Sequence, residues 1–127
     1  MENTLKLQLI LEKEGNKIWG RVSVNDNLIF DSASSLKALE KKIRVALKNS
    51  EGLVNVEFEY AYDLTFFFEQ FNFLNQSRIA ELAGLNPSLI RQYSSGNKQP
   101  SAEQVEKIQN AINLMASQLV SVKLASK

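Results

Sequence analysis

The apolar residues of this chain change their prevailing spacing near Ala61, and that change restricts the available folds more than any other feature. Before it, apart from one helical stretch, they recur at every second position, as on one face of a strand. After it they recur three or four apart, as on one side of a helix. Leu5, Leu7, Leu9 and Leu11 alternate with Lys6, Gln8, Ile10 and Glu12, and Ile10 adds apolar surface to the other face. "EGNK" (14–17) supplies turn residues that allow a hairpin, and "IWGRVSV" follows as a second strand with the only tryptophan, Trp19. "NDN" (25–27) makes another turn before the short strand "LIF".

"SASSLKALEKKIRVALKN" then reads as a helix. Ser34 or Ser35 can cap it, and Leu36, Leu39, Ile43 and Leu47 share one face. Lys37, Lys41, Lys42, Arg44 and Lys48 lie mostly on the others, and "NSEG" ends it. Val54, Val56, Phe58 and Tyr60 alternate with Asn55, Glu57 and Glu59 in a further strand. The order β-β-β-α-β predicts a three-stranded antiparallel sheet under one helix, with the fourth strand added at an edge.

From Tyr62 the pattern is all-α. Leu64, Phe67, Phe68 and Phe71 fall at helical spacing, which predicts burial of the aromatic run, with stacking on bases as the alternative use. The fold class expected is α+β, with a β-β-β-α-β domain over 1–61 and a helical bundle over 62–127.

Composition narrows the chemistry. The 127 residues, 44% hydrophobic and 23% charged, are globular usage and fit one ordinary domain or two very small ones. With no cysteine and no histidine, disulfides, thiol catalysis, histidine bases and the usual zinc ligands are excluded. No cofactor and no metal site is expected. Neither a leader nor an apolar span is visible, so a cytoplasmic location is expected. The net charge of +1 gives no strong global field, so a nucleic-acid partner would need local positive charge and more than one protomer.

The most informative stretch is "IAELAGLNPSLIRQYSSGNKQPS" (79–101). Asn75 can cap a helix beginning at Gln76, with Ile79, Ala80 and Ala83 facing inward. Gly84 supplies the left-handed conformation that ends it. Leu85 plugs the corner, and Asn86-Pro87 opens the next helix with a cap followed by proline at its first position. Ile90 and Tyr93 pack back, and small Ala80 lets the helices cross closely. This spacing is the helix-turn-helix pattern. Ser101 with Gln104 forms a capping box for a last helix whose stripe of Val105, Ile108, Ile112, Met115 and Leu119 is expected in the bundle core, with a dimer seam as the alternative. "LVSVKL" fits either a frayed helix end or a short strand.

With Ile90 and Tyr93 inward, Ser88, Arg91 and Gln92 face outward. Their side chains can hydrogen-bond base edges in a major groove: Arg to guanine, Gln to adenine, Ser to either. Gln76 and Ser77, at a helix start, and Ser95, Asn97 and Lys98, in the polar loop, are the candidates for the DNA backbone. Between Asn75 and Pro100 there are three basic residues (Arg78, Arg91, Lys98) and one acidic, Glu81.

The segment from about Leu74 to Ile112 resembles the lambda repressor/Cro-like (XRE-type) helix-turn-helix domain. "QSRIAELAGLNPSLIRQYSSGNKQPS" follows its order of glutamine, alanine, glycine, aliphatic, aliphatic and aromatic residues, then a glycine-bearing loop and proline. Pro87 stands where that family often has a base-contacting polar residue. The whole chain also resembles the HicB-family antitoxins, through "LKLQLILEKEGNKIWGRVSV" and "SLKALEKKIRVALKN". That resemblance implies a reduced ribonuclease H-like first domain that covers a small RNA-cleaving toxin. It also implies a second domain that binds a palindromic operator of double-stranded DNA as a homodimer or higher homo-oligomer. The expected function is therefore a sequence-specific transcriptional regulator, an antitoxin or antitoxin-like autorepressor. A protein-interaction module without DNA binding is the alternative. Nuclease chemistry would need carboxylates converging on Mg²⁺. Asp26, Asp31, Glu57 and Glu59 show no clustered acidic motif, and no enzyme is expected.

Overall fold

The structure is a computed structural model that describes residues 4–127. Strands β1 (Leu5–Glu14), β2 (Lys17–Val24) and β3 (Asn27–Ala33) are followed by helix α1 (Leu36–Glu51) and strand β4 (Val56–Tyr62). Helices α2 (Leu64–Gln70), α3 (Gln76–Ala83), α4 (Pro87–Ser95) and α5 (Ala102–Val120) complete it. The described residues are thus α+β, a four-stranded mixed sheet with five helices.

The sheet order is β3-β2-β1-β4. β1–β2 and β2–β3 are antiparallel and β4 lies at an edge, as expected; it joins β1, and in parallel. A parallel neighbour requires a crossover, and α1 supplies it. Between β2 and β3, Asn25 and Asp26 take φ of 50° and 65°, the positive values a two-residue hairpin turn demands and that asparagine and aspartate tolerate.

Ser35, the second of the two candidate serines, caps α1 by accepting from the Ala38 amide. Leu9, Leu11, Val22, Leu39, Ile43 and Leu47 are fully buried between sheet and helix. Gly20 makes their close approach possible: a Cβ there would stand 2.9 Å from Leu39 Cδ2 and 3.1 Å from Leu9 Cδ1. The strand ends depart from the expectation. Leu5, Val54 and Tyr60 are exposed, and Leu36 is only partly buried.

The chain divides into two compact units, Met1–Phe67 and Phe68–Lys127. The division falls within α2, later than the expected boundary at Ala61. Phe66 is buried in the first unit's core, and Phe68, with which the second unit begins, is buried as well. Leu64, Phe67 and Phe71, expected on one inward face, are only half-buried. Burial falls instead on Phe66 and Phe68, which point about 200° apart and so lie on nearly opposite sides of the helix.

In the second unit α3 packs on both α4 and α5. Ile79, Ala80, Ile90, Tyr93, Ile108 and Ala111 are buried. Ile108 was expected, but Val105 and Leu119 are exposed and Ile112 and Met115 half-buried. At 1.5 Å per residue α5 is far longer than the eight-residue α3 it packs on, so only its middle is covered. "LVSVKL" ends α5 at Val120 and continues without regular structure. No helix among the described residues is long and apolar enough to cross a membrane.

Candidate nucleic-acid interface

The α3–α4 corner is fixed by its ends. Asn75 Oδ1 accepts from the Arg78 amide at 3.1 Å and caps α3. At the other end Gly84 sits at φ 71° and its amide reaches Glu81 O, while the Leu85 amide reaches back to Ala80 O at 2.8 Å. This pair of bonds is the Schellman closure, which needs a left-handed residue at the glycine position and brings half-buried Leu85 over Ala80. Asn86 Oδ1 then accepts from the Ser88 amide at 2.9 Å, with Pro87 in the first turn. Only two residues, Leu85 and Asn86, separate the C-terminal glycine of one helix from the first residue of the next.

On α4 the sides are sharply distinguished. Ile90 and Tyr93 are buried, while Ser88, Arg91, Gln92 and Ser95 are exposed. These four positions are spaced i, i+3, i+4 and i+7, so they form one continuous stripe. The Ser88 hydroxyl donates to Asn86 Oδ1 at 2.8 Å, which leaves its oxygen to accept from a ligand. Arg91 has no hydrogen-bond or ion-pair partner among the described residues, so its guanidinium fork is free for a bidentate acceptor.

The backbone candidates divide. Ser77 is exposed at the first turn of α3, and the amides of Gln76 and Ser77 precede the first intrahelical bond, Ile79 N to Asn75 O. The Gln76 side chain is half-buried and donates through Nε2 to Ser94 Oγ at 3.0 Å, tying the start of α3 to α4. Ser94 carries no sequence signal for this role. It follows only from the crossing of the helices.

The loop after α4 closes like the corner. Gly96, at φ 81°, donates to Tyr93 O, and the Asn97 and Lys98 amides both donate to Gln92 O. The main chain there is consumed by the helix end, so only the exposed side chains of Asn97 and Lys98 can meet a phosphate. The Ser95 hydroxyl donates to Gln92 O. Arg78 pairs with Glu81 at 2.9 Å, which leaves Arg91 and Lys98 as the corner's cations without an ion-pair partner among the described residues.

The capping box at α5 is half-formed. Ser101 Oγ accepts from the Gln104 amide, but Gln104 Oε1 is buried without a hydrogen-bond partner among the described residues.

A second polar cluster, which periodicity gives no sign of, lies on the first unit. Tyr60 Oη donates to Glu40 Oε2 at 2.5 Å, and Arg44 Nη2 to Glu40 Oε1 at 2.8 Å. Arg44 Nη1 also donates to Val56 O, and its guanidinium lies 4.7 Å from the Phe58 ring centroid. The bond to Glu40 is the main reason the Tyr60 phenol is pushed up to about 12. The same bond is the main reason the Glu40 carboxyl is lowered. The cluster clamps α1 to β4. Of the acidic candidates, Asp31 is committed to the Ser32 amide and lies 3.9 Å from Lys42 Nζ, while Glu57 and Glu59 are exposed on β4. Among the described residues no group of three or more Asp or Glu could hold a metal ion.

No protein-family model, curated protein or solved structure gives a significant match to this chain.

Proposed function

We propose that the α3–α4 corner is a helix-turn-helix that reads double-stranded DNA, with α4 as the recognition helix, and that the protein is a sequence-specific transcriptional regulator. One observation carries this: Ser88, Arg91, Gln92 and Ser95 form an exposed polar stripe on a helix whose other side is held by Ile90 and Tyr93. A rigid helix presenting short polar groups and one unpaired guanidinium meets the requirements of major-groove readout. The α3 start, with Ser77 and the Gln76 amide, and the Asn97 and Lys98 side chains supply the flanking phosphate contacts.

The antitoxin reading extends this to the first unit. Its β-β-β-α-β order, with α1 on one face of the sheet, supports a reduced ribonuclease H-like domain of the HicB kind. Such a domain would hold a small RNA-cleaving toxin while the corner binds the operator.

Selection of bound duplexes from a random pool, followed by gel shifts on the enriched sequence, tests the corner. Arg91→Ala is expected to cost about 1–3 kcal/mol and relax preference at one base pair. Lys98→Ala is expected to weaken all duplexes alike and lower the salt slope by about 1. An Arg91→Ala protein with unchanged affinity and preference would overturn α4 as the reading helix.

A further inference from the structure

β3 is an edge strand, bonded among the described residues only to β2. Its two-residue turn makes Val24 and Asn27 a hydrogen-bonded pair, and bonded and non-bonded pairs alternate from there. Asn27, Ile29, Asp31 and Ala33 therefore spend their main-chain groups on β2, whereas Leu28, Phe30 and Ser32 aim theirs away from the sheet. Ser32 behaves accordingly: its carbonyl accepts from Lys42 Nζ at 2.9 Å and its amide donates to Asp31 Oδ1 at 2.7 Å. That rung is closed by the protein's own side chains, a common guard on sheet edges. The outward groups of Leu28 and Phe30 have no such partner among the described residues. Their side chains, on the face of the sheet away from α1, are 57% and 63% exposed, and Trp19 of β2 lies exposed on the same face.

We propose that β3 pairs antiparallel with β3 of a second copy of this chain, about a two-fold axis through Ile29. Leu28 then stands opposite Phe30 of the second copy, and Phe30 opposite its Leu28, as two hydrogen-bonded pairs that each exchange both N–H···O bonds. The register uses the open rungs and no others. Centring the axis on Phe30 instead would require Ser32, whose groups Asp31 and Lys42 already hold. Asp31, the one charged residue of the strand, faces Asn27 of the second copy, whereas parallel in-register pairing would set Asp31 against itself. Each Leu28–Phe30 contact is an aliphatic–aromatic cross-strand pair on a face otherwise open to water. An extended peptide of another protein could use the same edge, but the open rungs are complementary to themselves, which selects the second copy. Two short strands bury less than the roughly 1,600 Å² of a standard stable interface, so the dimer is expected to form at micromolar concentration. The pairing uses nothing of the α3–α4 corner and stands whether or not that corner binds DNA.

The chain has no cysteine, so single introduced thiols report the register directly. Hydrogen-bonded antiparallel partners stand about 5.5 Å apart at Cα, within disulfide range. Full-length Leu28→Cys mixed with full-length Phe30→Cys is expected to cross-link at least about tenfold faster than either alone under mild oxidation. Phe30→Pro removes an outward amide without touching a β2 rung. In sedimentation it should weaken the dimer at least about tenfold, with the circular dichroism unchanged. A wild-type protein that stays monomeric throughout the micromolar range would overturn the proposal. So would Phe30→Cys linking to itself as fast as the mixture, or a dimer that survives Phe30→Pro. The last outcome would assign self-association to another surface and leave β3 to a foreign peptide. Arg91→Ala should leave the cross-linking unchanged, which separates a failure here from a failure of the DNA reading.

Discussion

In the first unit α1 runs sixteen residues and sets Leu39, Ile43 and Leu47 on a sheet whose strands bury Leu9, Leu11 and Val22 against them. In the second, α3 and α4 run eight and nine residues and bury two side chains each. Helices of that length barely persist alone, since isolated helices become marginal below about 12–15 residues. The first unit is therefore secured by area removed from water, and the second leans heavily on how its helices begin and end. Asn75, Gly84, Asn86 and Gly96 matter there out of proportion to the contacts they make.

That contrast can be broken by two substitutions and refined by a third. Leu39→Ala, at the centre of the first core, is expected to lower stability by about 2–5 kcal/mol, read from the urea midpoint. Gly84→Ala should cost less, about 1–2 kcal/mol, and entirely through the backbone: a Cβ there meets no atom within 4 Å, but φ is 71°. If Gly84→Ala melts like the wild type, the end-dependent account of the second unit fails. If it costs more than Leu39→Ala, the ranking is inverted.

The smallest effect is expected at the Tyr60–Glu40–Arg44 clamp, which is partly solvent-exposed and screened. Glu40 has a lowered carboxyl pKa, so its contribution is present above the ordinary carboxylate range and is lost as pH falls through the folded value. Tyr60 is raised to about 12, so its contribution is full below the ordinary tyrosine value of 10.0 and is lost as pH rises toward 12. Tyr60→Phe should thus lower stability slightly near neutrality, where both contributions are present, and change it least at the acidic and alkaline extremes, which flattens the profile. Denaturation midpoints in acidic, neutral and alkaline buffers measure this. A Tyr60→Phe profile that still falls as steeply at alkaline pH would assign the loss to another group.

Much of this architecture is legible in the residues, for a local reason. Alternation names the buried face of a strand, and the hairpin turns and α1 crossover then restrict the order in which strands can pair. Alternation does not say how far along a strand the cover extends. Leu5, about 20 Å along β1 from Leu11 at 3.3 Å per residue, repeats the pattern yet remains exposed. Val105 and Leu119 fail similarly: the helical period marks a stripe, but the length of α3 decides how much of it is covered. At the corner, each cap and each glycine is readable because its backbone geometry admits few residue types. Side-chain engagements such as Gln76 with Ser94 are not, because they join residues that only the crossing of two helices brings together.

The Asn25-Asp26 turn has a reach beyond its two residues. Inserting one residue there would shift β3 by half a pleat period. Leu28 and Phe30 would then swing beneath α1, Asp31 would swing to the opposite side, and a different set of carbonyls would line the strand's rim. The phase of the whole third strand, and with it what the sheet offers to a neighbour, is thus set by the length of its smallest loop.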